Sequence, residues 1–230
     1  MDLGRGRNLT QNIMSDLGQS IVMGEYDNNK AFPTEAELCE QFNVSRSIIR
    51  EAVKMLTSKG MLSSRPRQGT KVRSEENWNI LDEEVLEWFL KKTVSLSLLR
   101  EFTEIRLAVE PAAAEIAAQK QNIDDIEKIG TALERMQSAE NGLDDPLEAD
   151  IEFHLALLDA SGNRFFKQLK NLSETALRSS IKYTNRQKGV RHADVKAHEK
   201  VYFAIKNKMP ELAKQEATML ISEVMALLDK

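Results

Sequence analysis

Residues 32–72 read FPTEAELCEQFNVSRSIIREAVKMLTSKGMLSSRPRQGTKV, and the fold turns on this stretch. Thr34 and Glu37 match a capping box, in which a hydroxyl and a carboxylate each accept an N–H left free at a helix start. The box opens a short helix, TEAELCEQF. Asn43 and Val44 break it, and Ser45 caps a second helix, SRSIIREAVKMLTSK, which Gly60 ends. Ile48, Ile49, Ala52, Val53 and Leu56 form the inward face of that helix. Met61–Ser64 and Thr70–Arg73 read as short strands around a Pro66–Gly69 turn. Two helices across a tight turn, followed by a hairpin, make a winged helix-turn-helix. In that motif the N-terminal part of the second helix enters the DNA major groove.

The residues that would meet DNA follow from this layout. Arg46 and Arg50 lie one turn apart on one face of the second helix, while Ile49 and Val53 turn toward the core. Arginine bonds guanine O6 and N7 through paired N–H groups, so two aligned arginines suit base reading. Ser45 and Ser47 reach phosphates or bases, and Thr34 joins them from the start of the first helix. Arg65, Arg67 and Lys71 suit backbone or minor-groove contact, with Gln68 and Gly69 at the wing tip. Two arginines alone also describe a solvated helix face. The ordered series of short helix, turn, arginine-bearing helix and basic hairpin favours DNA.

Upstream, Asn8 or Thr10 is expected to cap a helix running to about Gly24, with Ile13, Leu17, Ile21 and Val22 inward. The loop YDNNKAFP follows. Downstream, residues 74–78 (SEENW) form a polar joint. Helices are then expected at about 80–91, 96–119, 124–139, 146–161, 164–184, 194–207 and 210–229. Short loops between them imply an antiparallel bundle. The expected fold is mainly α: a winged helix-turn-helix over residues 1–73, a linker over 74–78 and an all-helical domain over 79–230. Trp78 and Trp88 would pack the first of those helices against the joint, and Met209, Met219 and Met225 serve helix packing.

A net charge of −4 argues against nucleic acid for the chain as a whole. Its distribution reverses that: residues 1–73 hold 11 basic and 8 acidic residues, and residues 74–230 hold 21 and 28. The basic end can face phosphate while the acidic remainder stays clear. The lone cysteine, Cys39, excludes an internal disulfide and reads as a small buried hydrophobe in a cytoplasmic protein. No signal peptide or membrane-spanning stretch is expected.

The helical half carries its own chemistry. On the helix near 96–119, Leu98, Leu99, Phe102, Ile105, Val109, Ala113 and Ile116 fall in one apolar stripe, and Arg106 falls inside it. A buried guanidinium cannot discharge by losing a proton and demands an anion. Glu110, one turn away, is one candidate, and a ligand carboxylate is the other. Asp150 and His154, also one turn apart, sit among Leu147, Ile151, Leu157 and Leu158. His198 sits among Val195, Val201, Tyr202 and Ile205. An aspartate and two histidines aimed into a bundle core are metal-ligand types, zinc among them. They suit an effector's hydroxyls equally. His192, in the charged loop GVRHAD, reads as exposed. A rival reading makes the same Asp-His-His set a water-activating centre of a hydrolase or lyase. No further positioned acid or base accompanies it. A third, a helical adaptor with an incidental winged domain, predicts no sequence-specific DNA binding.

Residues 32–72 resemble the DNA-binding domain of the GntR regulators. WNILDEEVLEWFL, FTEIRLAVEPAAAEIAA and EADIEFHLALLDASGN are similar to the all-helical (FCD-type) effector domain of their FadR-like branch. The resemblance implies a homodimeric repressor on a palindromic operator, released by a small organic acid such as an aldonate. It matches Ser45, Arg46 and Arg50 to operator-contacting positions and Gly69 to the wing tip. It also implies a divalent metal held by Asp150, His154, His198 and a fourth residue from the last helix. Ungapped counting puts Leu220 at the fourth position, which departs from the pattern. A second departure is Ala36, where the fatty-acid-responsive member has an arginine, so a different operator is expected.

Overall fold

In the computed structural model, residues 5–26, 32–65, 69–92, 96–190 and 193–229 are described. The side chains of residues 5–8 are not. A threonine starts the reading pair of helices. The Thr34 hydroxyl accepts from the Glu37 amide at 3.3 Å, and Glu37 Oε2 accepts from the Thr34 amide at 2.7 Å. This closes the capping box at the head of α2 (Glu35–Phe42). Asn43, left-handed at φ 50°, ends that helix. Ser45 holds the cap position of α3 (Arg46–Ser58), but its hydroxyl bonds Ser47 Oγ at 2.9 Å and not a helix amide. The two neighbouring hydroxyls satisfy each other. Gly60 ends the helix segment at φ +77°, and a Cβ there would lie 2.3 Å from the Asn77 carbonyl oxygen. Conformation and close approach both require glycine at that point.

The wing is an antiparallel pair, β1 (Leu62–Arg65) and β2 (Gly69–Val72), with Leu62 opposite Val72 and Arg65 opposite Gly69. Each strand is displaced one residue from expectation. Met61 is drawn into the exit of α3, its amide bonding the Leu56 carbonyl at 3.0 Å, and its own carbonyl accepts from Arg73. The first helix, α1 (Arg5–Met23), begins before Asn8 and Thr10, which lie inside it and do not cap it. A capping residue permits a helix start without enforcing one when the preceding turn can also be helical.

Packing divides the chain into a unit over Met1–Thr93 and another over Val94–Lys230. The helix expected to open the second domain, α4 (Glu83–Lys92), lies in the first. Trp88 of α4 is buried in the same core as Met14, Leu17, Leu38, Ile49 and Leu56. Gly18 of α1 leaves the space for its ring, since a Cβ there would meet Trp88 at 2.3 Å. Lys59, at the end of α3, reaches Asp82 and Glu84 at 2.7 Å each. Burial alone would lower the Lys59 pKa, but those carboxylates raise it. The segment 74–82, with a 3-10 turn at Glu75–Asn77, is thereby pinned to the reader.

The second unit comprises α5 (Leu96–Lys120), α6 (Ile123–Glu140), α7 (Pro146–Ala160), α8 (Arg164–Gln168), α9 (Lys170–Lys188), α10 (Val195–Lys206) and α11 (Pro210–Leu228). Helix α5 packs along α11, α6 against α7, and α10 against α5, α6 and α11. Ala114, Ala117 and Ala118 of α5 and Ala213 and Ala217 of α11 are buried, and small side chains let helices approach closely. The helix expected over 164–184 divides at Leu169 and runs on to Lys188, closing on left-handed Gly189. Met209 and Met219 are exposed rather than packed, because spacing alone does not say which flank of a helix is covered. Among the described residues no helix is long and apolar enough to cross a membrane.

The chain's two tryptophans, Trp78 and Trp88, both lie in the first unit, so their fluorescence reports on the reader. Gly18→Ala should lower the stability of that unit by about 1–3 kcal/mol through overpacking against Trp88. An unchanged denaturant midpoint by tryptophan fluorescence would contradict this packing.

Candidate functional site

The reader presents its basic groups outward. Arg46, Ser47 and Arg50 on α3 are exposed, as are Ser45, Arg65, Gly69 and Lys71. Arg50 is not free. Its Nε donates to both Glu35 carboxylate oxygens, at 3.1 and 3.0 Å. An exposed pair of this kind contributes about 0–1 kcal/mol, so a DNA phosphate or base can replace Glu35 at small cost. Thr34 is exposed, but its hydroxyl is engaged with Glu37. Arg67, Gln68 and His192 lie outside the described residues.

In the second unit, the expected apolar stripe of α5 separates into two. Leu99, Phe102, Arg106, Glu110 and Ala113 are buried. Ile105 is 43% exposed, and Leu98, Val109 and Ile116 are half-buried. The buried face carries the guanidinium inward to 3% exposure. There Arg106 Nε donates to Glu110 Oε1 at 2.6 Å, and Nη2 donates to Oε2 at 3.3 Å. The intramolecular partner considered for Arg106 is therefore engaged with it. Arg106 Nη2 also lies 3.1 Å from each ring nitrogen of His154.

Glu110 does a second job. Its Oε2 lies 2.8 Å from His154 Nδ1. Burial would raise the Glu110 pKa, but the Arg106 charge and then His154 outweigh it and hold the pKa at about 2. An ionised carboxylate only accepts, so His154 Nδ1 carries the proton and Nε2 is left facing Asp150 Oδ1 at 3.3 Å. His198 is arranged alike. Its Nδ1 donates to the Asp194 carbonyl at 2.7 Å, which leaves Nε2 3.3 Å from the same Asp150 oxygen. Asp150 Oδ1 and His198 Nε2 are buried with no hydrogen-bond partner among the described residues. The Asp150 carboxyl is well below its ordinary range: burial opposes ionisation, but His154 and His198 more than offset it.

One ligand atom from each of Asp150, His154 and His198 thus lies within 4.8 Å of the others. Three acceptors aimed at one another repel unless a cation or a proton stands among them. The imidazole of His154 is held above its ordinary pKa: burial disfavours its charge, but the neighbouring carboxylates Glu110 and Asp150 win. A proton is one resolution and a divalent cation the other. Paired Nε2 atoms whose Nδ1–H groups are already anchored are the arrangement that orients histidines toward a metal. The donor set therefore fits one.

These groups open on a cavity of about 440 Å³ lined also by α9, α10 and α11. Leu220, half-buried, occupies the expected fourth-ligand position and lines that cavity, as does Glu223 one turn on. Ser180, Thr184 and Asn185 line it from α9, and the sequence pattern does not single them out. Ser173, Ser180 and Thr184 are buried on the same helix as Leu177 and Ile181, but a hydroxyl on a helix is too common in sequence to mark a site.

The chain matches the family models for bacterial regulatory proteins of the gntR family over residues 9–72 and for the FCD domain over residues 101–223. It is 32% identical over 216 residues to the galactonate operon transcriptional repressor of Escherichia coli K12, covering 94% of each chain. It is 34% identical over 172 residues to the HTH-type transcriptional regulator YieP of the same organism, covering 74% of this chain and 75% of that one. Among solved structures, Streptococcus agalactiae GntR aligns with a TM-score of 0.50 and 26% identity, over 94% of this chain and 99% of that one.

Removing one member of the buried Arg106–Glu110 pair leaves a lone charge, so Arg106→Ala should destabilise the second unit by about 3–5 kcal/mol. Replacing both, with Arg106→Met and Glu110→Leu, should recover most of that. Helical CD in denaturant measures it, and a single variant as stable as the parent would show the pair to be dispensable. Glu110 ionises more readily folded than unfolded. Its contribution is complete above its ordinary value of 4.5 and is lost as pH falls toward about 2.

Proposed function

The chain belongs to the GntR family of bacterial transcription regulators and carries its FCD effector domain, and from that premise we propose that it is a repressor released from DNA by a sugar acid bound in the second unit. The DNA-binding winged helix-turn-helix and the helical domain that follows it in the chain are those of this family. The matched families and the relatives above are all transcription regulators, so the hydrolase or lyase reading of the Asp-His-His set is set aside.

The proposed reader is Ser45, Arg46, Ser47 and Arg50 in the major groove, with Thr34 and the wing residues Arg65, Arg67, Gln68, Gly69 and Lys71 on the backbone. Two copies of the chain would place two such helices on the half-sites of a palindrome. The observation that carries the sensing half is the pair of orphaned buried atoms, Asp150 Oδ1 and His198 Nε2, beside a buried guanidinium in a 440 Å³ cavity. Arg106, whose Nε and Nη2 are taken by Glu110, would anchor a carboxylate through Nη1. Asp150, His154 and His198 would hold the neighbouring hydroxyls, directly or as ligands of a divalent ion. Such an ion would supply a positive centre for a carboxylate oxygen and its adjacent hydroxyl. Glu110 keeps His154 in the tautomer either role needs. The aldonate class is suggested by the name of the galactonate relative and by the neutral polar side chains Ser180, Thr184 and Asn185 on the cavity wall. The ligand acts by binding the DNA-free arrangement more tightly than the DNA-bound one; equal affinity would shift nothing.

Arg50→Ala should cost roughly 1–3 kcal/mol of operator affinity and relax specificity at one base pair. Fluorescence anisotropy on the operator recovered by genome-wide pull-down checks it, and wild-type affinity and specificity would remove Arg50 from the reader. Protein purified without chelator should carry a divalent ion that Asp150→Ala loses. Elemental analysis finding none in the parent would leave the direct hydroxyl contacts as the surviving form of the site.

A further inference from the structure

Ser180 breaks a rule that other helix hydroxyls of the chain follow. A buried serine or threonine inside a helix commonly satisfies its hydroxyl by donating to the carbonyl three or four residues back. Thr57, Thr103, Thr131, Ser138 and Thr218 all donate four residues back, at 2.7 to 3.0 Å. Ser180 sits in the middle of α9 at 1% exposure, and its Oγ has no partner among the described residues. A buried hydroxyl left unpaired is a standing cost to the folded state, and native chains rarely carry one without use for it.

Its surroundings say what the use is. Ser180 lines the cavity that also receives Arg106, Asp150, His154 and His198. One turn on, Thr184 lines it too, its hydroxyl donating to the Ile181 carbonyl at 3.2 Å and keeping its acceptor lone pairs. Asn185 adds an amide, which offers both donor and acceptor. The buried guanidinium and the metal-ligating groups therefore come from α5, α7 and α10, and charged Lys188 and Glu223 also line the cavity. Residues 180–185 of α9 contribute neutral groups: Ser180 and Asn185 can donate and accept, and Thr184 accepts. A carboxylate gains most from the first set. A ligand hydroxyl, itself donor and acceptor, is the complement of the second.

We infer that Ser180, with Thr184 and Asn185, forms a subsite for the chain hydroxyls of a polyhydroxylated acid and sets the preference for sugar acids over simpler carboxylates. This rests on the sensing role proposed above for the same cavity. A site built to bond a hydroxyl rejects an analogue without one, because its own polar group is then left unpaired.

Isothermal titration of the full-length protein with D-galactonate and with D-gluconate tests it, alongside Ser180→Ala and the melting temperatures of both unliganded proteins. Ser180→Ala should weaken the better of the two acids roughly 3–10-fold, as expected for one neutral hydrogen bond. It should also raise the unliganded melting temperature, since it deletes an unsatisfied group. A serine that served only the fold would give the opposite sign in melting. Unchanged affinity for the acid, or a lowered melting temperature, overturns the subsite and leaves the sensing role standing. Failure of the unaltered protein to bind either acid overturns both.

Discussion

A guanidinium and two carboxylates, buried together with two imidazoles, constrain the second unit more than any other feature. None of the charges can stand alone at that depth. Arg106 is answered by Glu110, Glu110 fixes His154, and His154 and His198 both face Asp150. The chain of contacts crosses three helices: α5 supplies the first pair, α7 the second and α10 the last. A charge added or removed at this point is felt by all three. That property suits a sensor, because a ligand then acts on the relation between helices and not on one side chain.

The reader is held by different physics. Its core is aliphatic and aromatic, and its deep charge is Lys59, enclosed by Asp82 and Glu84 and lying 6.0 Å from the Trp88 ring. That contact joins the end of α3 to the approach to α4. With Trp88 seated on Gly18, it makes α4 part of the reader. The polar composition of residues 74–78 reads as a joint between domains, but the segment is pinned on both sides. Asn79 donates to the Lys59 carbonyl, and Trp78 Nε1 donates to the Arg73 carbonyl.

Much of this architecture is legible in the sequence. Local signals place the reader: the capping box at Thr34, the break at Asn43, the stop at Gly60 and the arginines at 46 and 50. Periodicity finds most of the bundle helices to within a few residues, since a 3.6-residue repeat over long segments is a strong signal and short loops bound it. The pattern also brings out Arg106, Asp150, His154 and His198, because polar residues inside an apolar stripe are conspicuous. It does not bring out Ser180 or Thr184. A hydroxyl on a helix is ordinary in sequence, and the importance of Ser180 lies in a partner it does not have, which no local pattern records.

The order of residues along the chain was enough to fix the elements, the face most of them turn inward and the presence of a buried cation, because each depends on residues within a turn or two of one another. That Glu110 answers this cation, that two Nε2 atoms and one carboxylate oxygen converge, and that α4 belongs with the reader came only with the packed fold. Convergence and domain membership depend on side chains brought together from positions dozens of residues apart. At that separation the deciding quantity is an angle or distance between helices, fixed by the packing of whole cores.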